Sequence, residues 1–112
     1  MVTMRRIDAQ ALARADNPIF VGEVFRQGLT EGLSQKLSVA VVAFRDGGRN
    51  VFHAHAGDQV LVVTEGEGIV ATETAEYPLT AGDVAYIPAG ERHWHGARPG
   101  RSMTHLSIAA VG

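Results

Sequence analysis

The chain has 112 residues, enough for one hydrophobic core and too few for two domains. With 46% hydrophobic and 20% charged residues and a formal net charge of -2, it is neither disordered nor basic, so no nucleic-acid or membrane partner is expected. Cysteine is absent, which excludes disulfides, thiolate zinc sites and cysteine nucleophiles and agrees with a reducing, cytoplasmic location.

The opening stretch, MVTMRRIDAQALARADN, lacks the apolar core of a secretory signal, and its residues 7–16 predict a short helix. From there on, glycines separate short runs rich in Val, Ile and Phe, the rhythm of an all-β sandwich or barrel. IFVGEVFRQG (19–28) and KLSVAVVAF (36–44) predict strands, RDGG (45–48) a turn and NVFHAHA (50–56) the next strand. DQVLVVTEG (58–66) alternates as a strand ending at its Glu-Gly turn, and GIVATETAE (68–76) with YPLTAG (77–82) predicts a hairpin. DVAYIPAG (83–90), RHWHGA (92–97) and RSMTHLSIA (101–109) complete the series. The longest apolar run, VAVVAF at 39–44, is far too short to span a bilayer.

On a strand, alternate residues share a face, so His53 and His55 are expected to point the same way. Two inward imidazoles need partners for their ring nitrogens. A divalent cation supplies one, since neutral imidazole is the commonest metal ligand; hydrogen bonds inside the barrel would supply another. Gln59 stands where a carboxylate would complete a metal site.

The wider pattern bears on that choice. Gly47, His53, His55, Gln59 and Gly66 follow the spacing G-x5-H-x-H-x3-E-x6-G except for the glutamine. Gly82, Pro88, Gly90 and His93 follow G-x5-P-x-G-x2-H-x3-N, with Ala97 in place of the closing Asn. These spacings resemble the two signature motifs of the cupin superfamily. The combination of H-x-H-x3-Q with HWHGA (93–97) and MTH (103–105) is similar to a narrower group of RmlC-like bacterial cupins. That group is related to the manganese-dependent hydroxynitrile lyases and the carboxymuconolactone-decarboxylase-associated cupins.

The resemblance implies an all-β, single-domain double-stranded β-helix, or jelly-roll barrel, over residues 19–112, preceded by an N-terminal segment at 1–18 that carries the short helix. It implies His53, His55, Gln59 and His93 as metal ligands, His95 and His105 as cavity-lining candidates for acid/base catalysis, and a homodimer. A glutamine amide is a neutral oxygen donor, so three imidazoles and an amide would leave a divalent charge uncompensated. Such donors suit Mn, Fe, Ni, Co or Zn, with Mn favoured by the resemblance. Trp94 alternates away from the histidines toward an outer layer or a subunit contact, and Met103 reads as a gap-filler. Phe44, Leu61 and Ile108 are expected to line a mostly apolar cavity.

The leading expectation is a metal-dependent enzyme performing lyase- or isomerase-type acid/base chemistry on a small polar or carbonyl compound. An iron-dependent dioxygenase, and a non-catalytic cupin that binds or senses a small ligand, are the alternatives; the fold alone does not decide among them.

Overall fold

The computed structural model describes residues 1–111. Its strands are β1 (Ala13–Arg14), β2 (Phe20–Gly28), β3 (Leu37–Asn50), β4 (Gln59–Thr72), β5 (Glu76–Thr80), β6 (Val84–Ile87), β7 (His93–Ala97) and β8 (Met103–Ala110). All pairings between them are antiparallel. The result is the expected single jelly-roll barrel.

Two 14-residue strands hold it together, because each changes partners halfway along. One edge of β3 pairs with β2 from Ala40 to Asn50, while the other edge passes from β8 over its first part to β7 at Arg49. The first part of β4 pairs with β6 and β8, whereas residues 67–72 pair with β5 and β7. Both strands therefore pass from one layer to the other, and the motif glycines lie at the bends. In β3 the bend falls at Asp46 (φ 49°) and Gly47 (φ 76°), and in β4 at Gly66 (φ 81°), beside a register shift between Val63 and Glu65. A side chain on Gly66 would overlap the carbonyl oxygen of Ser102, so the close crossing of β4 and β8 needs glycine as much as the left-handed backbone does.

These bends correct several sequence-based expectations. Residues 45–48 are a kink inside β3, not a turn between strands, and β4 runs through its Glu-Gly pair instead of ending there. Residues 51–58 form an irregular segment fastened by an isolated bridge between His53 and His93. Helix among the described residues is limited to one 3-10 turn, Ala9–Ala11, capped by the Asp8 side chain. A longer helix there would have no buried face to stabilise it. Instead Ala13 and Arg14 pair with Arg26 and Phe25, and the Gln27 amide bonds the backbone of Arg6 and Asp8.

The packed core comprises Val24, Phe44, Leu61, Val63 and Met103, all at most 1% exposed, with a ring of smaller aliphatic side chains around them. Met103 fills the space over Gly68 as expected. Trp94 lies half-buried on the outer face, with the Arg49 guanidinium 4.3 Å from its ring centroid. No helix among the described residues is long and apolar enough to cross a membrane.

Candidate metal centre

The irregular segment after β3 and the start of β7 bring three imidazoles together. His53, His55 and His93 each offer a ring nitrogen, and these atoms lie within 4.8 Å of one another. The ring centroids are 4.4 Å apart for His53 and His93, 4.8 Å for His53 and His55, and 5.0 Å for His55 and His93. The His53–His93 bridge fixes this closeness through reciprocal backbone hydrogen bonds of 2.9 Å. A further bond, from the Gly90 N–H to the His55 carbonyl at 2.8 Å, holds the irregular segment at His55 in place. The motif glycine and histidines are thus joined through the main chain.

Two of the rings are oriented in the same way. His53 Nδ1 lies 2.7 Å from the Val51 carbonyl, and His93 Nδ1 lies 2.8 Å from that of Glu91. A carbonyl only accepts, so each Nδ1 carries the proton and each Nε2 presents a free lone pair. His93 Nε2 is buried and unpartnered among the described residues. Buried nitrogen lone pairs without a donor are rare, and a metal ion would satisfy this one. Burial, followed by the neighbouring His53 and His93 rings, lowers the His55 pKa, and burial is also the main cause lowering that of His93. Both rings are therefore neutral near pH 7, as ligation requires.

Gln59, first residue of β4, is 7% exposed. Its Nε2 donates to Ser107 Oγ at 2.9 Å, leaving Oε1 buried without a partner. A neutral oxygen donor is thereby held available beside the imidazoles, since Gln59 lines the same cavity as His53 and His55. The residues present fit a divalent cation on both counts: unpartnered acceptors and neutral nitrogen and oxygen donors.

A second buried group adjoins this cluster. His95 is 4% exposed and His105 fully buried, with His105 Nε2 3.3 Å from His95 Nδ1. His95 in turn meets Asn50, whose Nδ2 lies 3.2 Å from His95 Nε2 and whose Oδ1 accepts from the His95 backbone N–H at 2.8 Å. Burial lowers the His105 pKa to about 4 and takes His95 well below its ordinary value of 6.5, with the nearby imidazoles adding to the effect on His95. The structure therefore brings His95 and His105 together as a neutral pair next to the three-histidine cluster. Asn50 was not singled out in the sequence, where it reads as the first residue of the strand NVFHAHA (50–56).

The cavity has a volume of about 120 Å³ and is lined by Asn50, Gln59, Ser107 and Arg26 together with histidines and apolar residues that include Ile19, Phe20 and Val42. The expected lining by Phe44, Leu61 and Ile108 is not observed. Phe44 and Leu61 belong to the packed core, where Phe44 lies against the His95 and His105 rings at centroid distances of 5.7 and 5.4 Å. Ile108 takes the other face of β8, because Met103, His105 and Ser107 occupy the inner one. The cavity is accordingly more polar than expected. His93 also borders a separate cavity of about 300 Å³, lined mainly by Val70, Leu79, Ile87 and two tyrosines, Tyr77 and Tyr86.

Comparison with known proteins places this geometry in context. The cupin domain model matches residues 40–108. The (R)-mandelonitrile lyase of Granulicella tundricola is 36% identical over 107 residues, which cover 94% of this chain and 82% of that protein. A cupin-like protein from Thermotoga maritima superimposes with a TM-score of 0.82 at 33% identity, over 87% of this chain and 75% of that one. An RmlC-like cupin from Shewanella frigidimarina shares the fold at 24% identity, with a TM-score of 0.76 over 98% of this chain and 93% of that one. With its glycine-hinged barrel and three-histidine cluster, the chain belongs to the cupin family.

Proposed function

We propose that this cupin is a metal-dependent enzyme performing lyase- or isomerase-type acid/base chemistry on a small polar or carbonyl compound. His53, His55, His93 and Gln59 are its ligand set, and Mn is the favoured ion. The observation that carries the reading is the adjacency of two differently built groups: the three-histidine cluster, of which His53 and His55 line the cavity with Gln59, and a buried neutral His95–His105 pair lining the same cavity. The 36% identity to a lyase favours this reaction class.

A bound divalent ion would supply Lewis-acid polarisation of an oxygen- or nitrogen-bearing group. The protein's own residues do the rest. Asn50 holds the His95 ring, and Phe44 packs against both imidazoles, so neither ring can rotate freely. A neutral imidazole can take a proton, and the 3.3 Å contact lets one pass between His95 and His105. Their burial excludes bulk water from that transfer. The proposal extends to a homodimer acting on a small molecule in the cytoplasm, with no nucleic-acid or membrane partner.

The test is metal analysis of protein purified without added metal, followed by activity measurements with each candidate ion across hydroxynitriles, lactones and diketones. Stoichiometric metal, lost on His53→Ala, together with turnover that needs His95 or His105, is the expected result. Iron with oxygen consumption would instead support a dioxygenase, and bound metal without turnover a ligand-binding cupin. Absence of stoichiometric metal would overturn every metal-dependent reading.

A further inference from the structure

β2 carries a charge on its inner face. Val24 is fully buried opposite Phe44, so the alternation along β2 puts Arg26, opposite Val42, on the same side. Arg26 lines the cavity with His53, His55 and Gln59. One ladder row runs from Arg26 through Val42 to His105, two strand spacings away or about 10 Å between backbones. An arginine side chain is long enough to cover the intervening valine. The Arg26 side chain stays 36% exposed at the mouth of the cavity, and its charged partner among the described residues is Glu31, with Nη1 2.8 Å from Oε1.

That partner is loosely held. Glu31 comes from the exposed connection after β2 and its side chain is 68% exposed, so the pair stabilises little. Its carboxylate occupies the space that a side chain on Gly28 would fill. No carboxylate lines the cavity among the described residues: its polar lining is Arg26, Ser38, Asn50, Gln59, Ser107 and imidazoles. Arg26, Ile19 and Phe20 also line an outer depression that includes Arg14 and Asp16, so Arg26 borders both this depression and the inner cavity.

We propose that Arg26 is a substrate-binding residue and that the cavity takes a small carboxylic acid, whose carboxylate displaces Glu31 from the Arg26 guanidinium. This inference rests on the reading of the cavity as a metal-dependent site and adds the class of molecule it takes. The planar guanidinium matches a carboxylate with paired donors. A cavity of about 120 Å³, below the roughly 300–1,000 Å³ of drug-sized pockets, limits the occupant to a few heavy atoms. A hydroxy or oxo acid satisfies both ends of the site, with the carboxylate at Arg26 and the second oxygen toward the histidines. Neutral ligands leave the charge of a divalent ion uncompensated, which favours an anion over its neutral amide.

The experiment is calorimetric titration of the cobalt-loaded full chain with glycolate, glycolamide and azide, with metal content measured on the same samples. Glycolate should bind and glycolamide bind at least ten-fold more weakly. Arg26→Gln should weaken glycolate at least ten-fold and azide far less, because azide has no second group to pair with the guanidinium. Glu31→Gln, a change on an exposed loop, should tighten glycolate several-fold by removing the competing carboxylate. Equal glycolate affinity in Arg26→Gln and the parent protein, with full metal content in both, overturns the proposal and leaves the metal reading standing. If the parent protein takes up no metal, the metal reading fails separately. Glycolate-induced NMR shifts of the Arg26 side chain in metal-free protein then decide the proposal, their absence overturning it. Should Arg26→Gln fail to fold, Glu31→Gln carries the test, and unchanged or weaker glycolate binding there overturns it.

Discussion

Asn50 and His95 bond each other twice, through the Asn50 Oδ1 with the His95 backbone N–H at 2.8 Å and through the Asn50 Nδ2 with His95 Nε2 at 3.2 Å. The first bond fixes the amide, because a backbone N–H can meet only its oxygen. The amide NH2 then faces His95 Nε2, which must accept, so the His95 proton sits on Nδ1 and is donated to His105 Nε2. Asn50→Ala removes both bonds at a site 2% exposed, and a stability loss of about 1–3 kcal/mol is expected in urea unfolding. Imidazole nitrogen NMR should show the His95 tautomer becoming mixed; a single unchanged tautomer would show that Asn50 does not set it.

Acid should weaken the fold through His105. Its pKa falls from an ordinary 6.5 to about 4 because burial disfavours the charged ring. The unfolded chain then binds a proton that the folded chain refuses, so stability is fully present above pH 6.5 and is lost as pH falls toward 4. The loss is on the order of 3 kcal/mol for this one group. Urea unfolding of His105→Gln at several pH values checks it, and the slope between pH 4 and 6.5 should shrink in that variant.

Metal should stabilise the folded chain in proportion to occupancy, by about 2.7 kcal/mol at a hundred-fold excess over Kd. Chelation should therefore lower the thermal midpoint of the parent protein, and His53→Ala, His55→Ala or His93→Ala should abolish that response. Thermal unfolding with and without chelator distinguishes loss of ligation from general destabilisation, because only the former removes the difference between the two curves.

Gln59→Glu probes charge at nearly constant shape. A carboxylate in place of the amide offsets part of the cation's charge, so azide affinity of the cobalt-loaded protein should fall, by about ten-fold for each 1.4 kcal/mol of lost attraction. Absorption titration reads this directly, and equal azide affinity in the two proteins would show that Gln59 is remote from the ion.

Gly66→Ala and Gly47→Ala separate two reasons for a glycine. Both positions have positive φ, which costs about 1–2 kcal/mol for another residue. At Gly47 the nearest atom to an added Cβ is Pro99 Cα at 3.4 Å, an ordinary contact, whereas at Gly66 the added atom overlaps the Ser102 carbonyl. Gly66→Ala should therefore be the more destabilising in thermal unfolding.

The barrel and the three-histidine cluster were legible because motif spacing marks both the bends and the histidines that converge. The strand boundaries at 45–48 and 65–66 were not, since a left-handed kink within a strand and a turn between two strands use the same glycines. His53 and His55 were expected on one face of a regular strand; they converge instead on an irregular segment tied to β7, and only the pairing of His53 with His93 explains how. Arg26 left a visible trace, a charge on the apolar side of the alternation Val24, Arg26, Gly28. Asn50 left none, because its partner lies 45 residues away.

The carbonyls of Val51 and Glu91 that set the His53 and His93 rings belong to the main chain, and each lies two residues before the histidine it orients. No side-chain replacement at Val51 or Glu91 removes such an acceptor; only a change in the path of the backbone does. Half of the proposed ligand set is in this way insulated from point mutation around it, while Gln59, steered by the Ser107 hydroxyl, is exposed to it. Donor strength at this centre can therefore drift through positions 59 and 107 while the orientation of His53 and His93 stays fixed.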